Sequence, residues 1–288
     1  KSFTMATLGS NYDKLGYYLV GWKKFYNKTL ALMYAKQYNF EVRWIFNDNV
    51  YGTIDWTVPI EESIESLYSR RAKQIRETYD HVILYYSGGA DSHNVLMSFI
   101  DNNLIVDEIV MELPEMDRKN FNDRDTSSRN VYGEIDYVAT PRLKEIQHRL
   151  HPSTKIRYAD FSKPVIEILN KDDWFETTPT NAFLTLGQIG RQFLHATDTG
   201  IMALSDKGKK VCQLYGVDKP LVIYEGVDYY AYFADASAMH VNPVIPDNAK
   251  HYEVSTEFFY WTPDIPEIVV KQAQMIKLAC ELDNTKKQ

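Results

Sequence analysis

Cysteine is scarce in this chain of 288 residues. There are only two, Cys212 and Cys280, far apart and in no CxxC pair. A zinc ribbon or a cysteine-held iron–sulfur cluster therefore has no ligands, and two free thiols in a reducing compartment is the expected state. Long apolar runs are also missing: no stretch approaches the roughly 18 residues a membrane helix needs. The opening KSFTMATLGSNYDK has no apolar core of the kind a signal peptide requires. Together these absences read as a soluble, cytoplasmic protein. There is no internal repeat and no low-complexity tract. Excess positive charge is lacking too, because 32 Lys and Arg face 39 Asp and Glu for a net charge of −7. That balance speaks against non-specific binding to a phosphate backbone and leaves a local basic patch as the one route to nucleic acid.

What is present is an alternation of strands and helices. NKTLALMYAKQYN places Leu30, Leu32 and Met33 at helical spacing with Asn27 as its cap, FEVRWIF alternates like a strand, and NDN offers a turn into a second strand, VYGTIDW. Residues 1–58 thus read as an α+β extension. TVPIEESIESLYSRRAKQIRETYD is the clearest helix, with Pro59 in its first turn and an apolar stripe through Ile60, Ile64, Leu67 and Ile75. Its basic residues Arg70, Arg71, Lys73 and Arg76 read as a solvated face. HVILYY follows, a continuous apolar run suited to a strand buried on both faces of a parallel sheet.

The order then repeats. DSHNVLMSFIDNN, TPRLKEIQHRLH and KPVIEILN read as helices, and VDEIVMEL and KIRYADF as strands. The pattern from Asn181 to Tyr215 reads as helical. PLVIYEGVDYYAYF reads as two strands about a Glu-Gly turn, with Tyr229 and Tyr232 on opposite faces, and PEIVVKQAQMIKLACEL as a final helix. Such alternation predicts an α/β fold with a parallel sheet covered by helices. Residues 59–235 form its expected body and 236–288 a tail with the helix.

The stretch ILYYSGGADSHNVL, residues 83–96, carries the chemistry. Gly88 and Gly89 stand where a parallel strand ends and a helix begins, the edge of open α/β sheets at which ligands bind. Glycines there allow positive φ and let backbone N–H groups approach a ligand. The helix that follows turns its free N–H groups and positive dipole end toward the same point. That geometry suits phosphate, and Ser87 and Ser92 add hydroxyl donors. Asp91 would repel phosphate unless Mg²⁺ stood between them, or unless it caps the helix. A Gly-Gly turn alone binds nothing as a rule; Ser-Gly-Gly-x-Asp-Ser between an apolar strand and an apolar-periodic helix points to function.

SGGADS resembles the signature of the PP-loop ATP pyrophosphatase superfamily, which includes the ATP-binding domains of asparagine, GMP and NAD synthetases. The chain as a whole also resembles PP-loop proteins of large tailed phages. The resemblance implies a Rossmann-like sheet of the adenine nucleotide alpha-hydrolase type, ATP and Mg²⁺. It implies attack of a substrate oxygen on the α-phosphate, release of pyrophosphate, and displacement of the adenylate by a nucleophile such as ammonia. By that analogy Ser87, Gly88, Gly89, Asp91 and Ser92 hold the pyrophosphate, with Asp91 on the metal. Lys219, in LYGVDKPLV at an expected helix-to-strand junction, matches a late lysine that several relatives place on the phosphates, though it would equally suit a solvated turn. The charged segment 114–136, with Arg118, Arg124 and Arg129, reads either as a lid whose arginine, Arg129 for one, touches phosphate or as a solvated insertion. Arg191 and His195 sit on an expected helix, and His195 reads as structural.

Departures from the relatives narrow the chemistry. Cys280 lies inside KLACELD, in the expected final helix, which argues against a sulfonucleotide reductase. Four zinc-binding cysteines, a cluster for thiolation and an N-terminal glutaminase cysteine are all missing, so ammonia would come free or from a separate donor. The expectation is an enzyme that adenylates a carbonyl or carboxylate oxygen of an unknown small-molecule or nucleobase acceptor. The alternatives are an ATP-binding module without chemistry, such as a sensor or interaction protein, and an enzyme modifying a tRNA or DNA base.

Overall fold

The computed structural model describes residues 10–120, 132–172, 199–217, 219–225, 228–235 and 254–282. A small antiparallel sheet comes first. Its strands are β1 (Tyr17–Val20), β2 (Lys23–Phe25) and β3 (Val42–Ile45), in the order β2-β1-β3. Helix α1 (Lys28–Tyr38) packs on it, and Tyr18, Val20, Phe25, Ala31 and Ala35 form the shared core. Asn27 caps α1 as the sequence suggests, its side chain accepting from Leu30 N at 3.0 Å. The strand expected in VYGTIDW is instead a single helical turn, α2 (Asp48–Tyr51). Asp48 accepts from Phe46 N at 3.0 Å, and Tyr51 turns inward to donate to Thr262 O at 2.8 Å. The local carboxylate and the buried ring outweigh the β-propensity of the stretch.

Helix α3 (Ile64–Thr78) starts five residues later than Pro59 suggests, with Ser63 as its cap. The preceding segment is tied down elsewhere: Ile60 N donates to Gln274 at 3.1 Å and Ile60 O accepts from Lys271 at 2.6 Å. Both partners lie on the last helix, α8 (Glu267–Leu282). Then β4 (His81–Tyr85), α4 (Ala90–Ile100), β5 (Glu108–Leu113), α5 (Thr140–Ile146), β6 (Lys155–Asp160), α6 (Ser162–Leu169) and α7 (Thr199–Asp206) follow in turn. A π-helical turn, Ile135–Ala139, leads into α5.

Strands β7 (Val211–Tyr215) and β10 (Val254–Phe258) complete a five-stranded sheet of order β10-β7-β4-β5-β6. Every pair in it is parallel. The expectation of a mixed α/β fold with a parallel sheet is met, but not that of helix up to Tyr215. Residues 181–198 lie outside the described residues, and Val211–Tyr215 is a wholly buried strand. β8 (Leu221–Glu225) and β9 (Asp228–Tyr232) pair antiparallel, the hairpin that the Glu-Gly turn predicts.

Arg71 also departs from expectation. It is 2% exposed rather than solvated, and it donates to Glu257 at 2.9 Å and to Phe258 O at 2.8 Å. Lys14 and Tyr79 reach the same carboxylate. Burial alone would push the Glu257 carboxyl up; Arg71 and Lys14 outweigh it and hold the group below its ordinary value. Arg76 is likewise engaged, with Asp107 at 2.6 Å. No described helix is long and apolar enough to cross a membrane.

A second ionic cluster links three strands. His81 on β4 and Arg157 on β6 both bond Glu108 on β5, at 3.0 and 2.7 Å. The His81 hydrogen bond, helped by Arg157 and opposed by burial, lowers the Glu108 carboxyl from the ordinary 4.5 to about 2. A lowered carboxylate stabilises the fold above its unfolded pKa and loses that contribution as pH falls to its folded value. Denaturant titrations should thus show a loss of stability between about pH 4.5 and 2, with Glu108 contributing on the order of 2–3 kcal/mol. Glu108→Gln should remove that share of the acid dependence; an unchanged profile would show that the cluster is not coupled to folding.

Candidate functional site

The strand order creates one fork. From β4 the chain moves through α4 to β5 and then to β6 on one side. It returns only afterwards to β7, on the other side of β4. In such sheets the crevice where connections diverge, beyond the carboxyl ends of the two strands, is where ligands sit. Tyr85 and Tyr215 are paired in register at the ends of β4 and β7, their rings stacked at 4.6 Å and 8°. SGGADS and the segment around Lys219 are the next residues on either side of this fork.

Each glycine there has a distinct task. Gly88 has φ +76°, and a Cβ on it would lie 2.4 Å from Ala139 Cα and 2.6 Å from Ala139 N. The loop is thus pressed against the π-helical turn, and only glycine meets both demands. Gly89 is the N-cap of α4 with φ −61° and ψ 164°, and no side chain caps the helix. The first-turn N–H groups consequently lack the side-chain acceptor that most helices supply. Gly216, which sequence reasoning missed, ends β7 against the same helix: a Cβ there would lie 3.0 Å from Asp91 C and Ser92 N. Its only sequence signal is a glycine directly after an apolar run.

The side chains foreseen at the loop do meet. Ser87 Oγ lies 3.3 Å from Ser92 Oγ and accepts from Gly89 N at 3.3 Å, while Ser92 Oγ is 3.3 Å from Gly89 O. These contacts are long for hydroxyl hydrogen bonds, so both groups remain free to turn to a stronger acceptor. Lys219 forms an ion pair with Asp91, joining the two arms of the fork. It follows strand β7, so the helix-to-strand junction expected for it is corrected to a strand-to-strand one. Tyr260, just after β10, donates to Asp91 O at 2.9 Å.

A third side was not foreseen. Arg142 on α5 donates to Gly88 O, so a cation stands under the loop. Beside it, Tyr86 Oη is 2.9 Å from His93 Nδ1. Burial first, and then the Arg142 charge, push the His93 pKa down, favouring the neutral ring. Burial pushes the Tyr86 phenol up to about 12.

Arg129, together with Arg124, Arg191 and His195, lies outside the described residues. Arg118 is described and already engaged, bonded to Asp136 at 2.8 and 3.2 Å and lying over the Tyr132 ring at 4.6 Å. Among the described residues no three His, Cys, Asp or Glu side chains are grouped to hold a metal. Magnesium does not need such a cage, since it is commonly held by one or two carboxylates together with water and phosphate oxygens. Asp91 fits that lesser demand. A groove of about 660 Å³ lies elsewhere, between β9 and α8, lined by Trp56, Tyr229, Gln274 and Lys277 among others and by none of the loop residues.

No protein-family model matches the chain, and no curated protein matches it.

The two loop glycines should respond differently to a methyl group. Gly88→Ala should cost roughly 2–5 kcal/mol in urea denaturation, from the positive φ and the clash with Ala139. Gly89→Ala should cost about 1 kcal/mol or less, because its backbone is open to any residue. Equal costs would mean that the approach to Ala139 does not constrain the loop.

Proposed function

We propose that the chain binds ATP at the fork between β4 and β7 and uses it as an ATP pyrophosphatase-type ligase or modification enzyme. The observation that supports this most is the placing of the uncapped α4 N-terminus, with SGGADS wrapped around it, at the divergence of the parallel strands. A cytoplasmic location belongs to the same proposal.

In this reading the backbone N–H groups of residues 89–92 and the hydroxyls of Ser87 and Ser92 hold phosphate oxygens. Lys219 leaves Asp91 for the phosphates, and Asp91 is thereby freed to hold Mg²⁺. When bound, the metal would supply charge neutralisation on the polyphosphate. An acceptor's carbonyl or carboxylate oxygen forms a bond to the α-phosphorus. The bond between the α-phosphorus and the bridging oxygen breaks, and pyrophosphate departs with the electron pair. A nucleophile such as ammonia then displaces AMP. What the chain contributes is positioning together with preorganised donors aimed at the departing charge. The Lys219–Asp91 pair also favours a second reading. With its own cation already in place, the loop would hold a polyphosphate without metal or chemistry, as a nucleotide-binding module.

Calorimetry with ATP and Mg²⁺ tests the binding, and assays for AMP and pyrophosphate separate enzyme from module. Asp91→Ala should abolish pyrophosphate release while changing stability by less than about 1 kcal/mol, because the pair it breaks is partly exposed. Lys219→Ala should weaken ATP binding about ten-fold or more, as expected for loss of a charge-assisted contact. No heat with ATP would overturn the proposal, and saturable binding with intact ATP would select the module.

A further inference from the structure

The acidic balance of the chain is not uniform. Residues 17–43, the small sheet and α1, carry Lys23, Lys24, Lys28, Lys36 and Arg43 against Glu41, within a protein of net charge −7; of these Lys24 pairs with Asp13 at 2.5 Å and Lys28 with Asp235 at 2.6 Å. The same segment holds a continuous run of rings. Phe25 contacts Tyr34 at 5.2 Å and Tyr34 contacts Tyr38 at 4.5 Å. Tyr38 stacks with Phe40 at 6.5 Å, and Phe40 meets Trp22 at 5.5 Å. The run begins in the core at Phe25 and ends in solvent: Tyr38 is 51% and Trp22 75% exposed. Lys23 Nζ lies 4.6 Å over the Tyr34 ring, placing a cation within the run.

The turn does not account for Trp22. It occupies the two-residue turn between β1 and β2 beside Gly21, whose φ of +60° makes the tight reversal, and a polar residue would serve that turn equally. Exposed indole and phenol faces flanked by lysines match what unstacked bases on a phosphate chain require. Bases stack on rings whatever their identity, and cations track the backbone. Duplex DNA or RNA would offer its charge but not its base faces.

We infer that this face, with Trp22, Lys23, Tyr34, Tyr38 and Phe40 at its centre, docks single-stranded nucleic acid. The inference stands independently of the nucleotide reading, since none of these residues belongs to the loop. Charge complementarity selects the occupant: exposed Lys23 stands among the rings within a segment of net positive charge, which draws a polyanion, and the rings favour a polyanion with exposed bases.

The test is fluorescence anisotropy of a labelled thymidine oligonucleotide, roughly 12 nucleotides long to span one such site, with the full chain and no ATP. Binding is expected at low salt. It should weaken roughly 20-fold between about 50 and 200 mM salt if about three phosphates are contacted. Trp22→Ala should weaken it about ten-fold, as loss of one stacking platform does. Lys23→Glu should weaken it too, and both variants should melt like the parent because the side chains are exposed. Five outcomes would overturn the inference. They are no binding at low salt, Trp22→Ala binding as tightly as the parent, a duplex of equal length binding as well as the single strand, capture of anionic vesicles in place of the oligonucleotide, and sedimentation showing that this face joins two copies of the chain.

Discussion

The pairing of β4 with β7 sets the conditions for everything at the fork. It joins residues 81–85 to residues 211–215, and with them the two loops that leave the sheet there. Closing so long a connection is entropically unfavourable, though the cost rises only slowly with length. Burial offsets it: all five residues of β7 are buried, and Val82, Ile83 and Leu84 opposite them are wholly inaccessible. The one polar side chain of β7, Gln213, is satisfied by the Tyr85 hydroxyl at 3.2 Å, so the interior strand carries no orphan amide there. Without this pairing Lys219 would have no path to Asp91, and Gly216 would have no helix to approach.

Close backbone approach then turns a generic helix start into a shaped one. The first turn of α4 is bounded by Gly216 on one side, and the loop before it is bounded by Ala139 on the other. Both boundaries use the missing Cβ of glycine. Around this constriction lie charges of both signs. Arg142 lies under Gly88 O, and the helix dipole points positive end outward. Asp91 accepts the charge of Lys219. A carboxylate in the first turn stabilises α4 whether or not anything binds. Asp91 therefore has a structural role as well as the proposed one, and the Lys219 contact is what distinguishes the two.

How much of this the sequence revealed depended on whether the signal was local. The apolar run of β4, the glycine turn, the stripe of α3 and the Asn27 cap are local, and all four reappear in the structure, though α3 starts five residues late and leaves Ile60 outside it. Strand β7 was hidden because VCQLY is short and carries a glutamine whose partner lies on β4. β10 was hidden because VSTEF is mostly polar, and its Thr256 and Glu257 are buried all the same. Glu257 is tolerable inside only because Arg71 and Lys14 meet it, residues 186 and 243 positions away. The same cause misled the reading of Arg71. In SRRAK it looks like one member of a solvated cluster, and no spacing rule says which arginine turns inward. At the loop, the residue types and their order were legible, while Gly216, Tyr260 and Arg142 were not, since each joins the site through tertiary packing.

The small N-terminal sheet is tied to the same body by both apolar and ionic contacts. Phe46, just after β3, packs at 4.7 Å on Phe233 and at 5.4 Å on Trp261, and Tyr51 packs at 4.6 Å on Phe233. Tyr18 donates to Asp235 at 2.8 Å and Lys28 pairs with the same carboxylate at 2.6 Å. Trp261 directly follows Tyr260, whose hydroxyl holds the carbonyl of Asp91. A short chain of packed groups therefore runs from the aromatic, basic sheet to the first turn of α4. Such a path is not itself coupling, which requires an element with two arrangements. The Lys219–Asp91 pair is one contact at the end of this path, and under the proposed function a polyphosphate and its metal would compete for it from opposite sides. If the two surfaces sense each other, the switch lies in the first turn of α4.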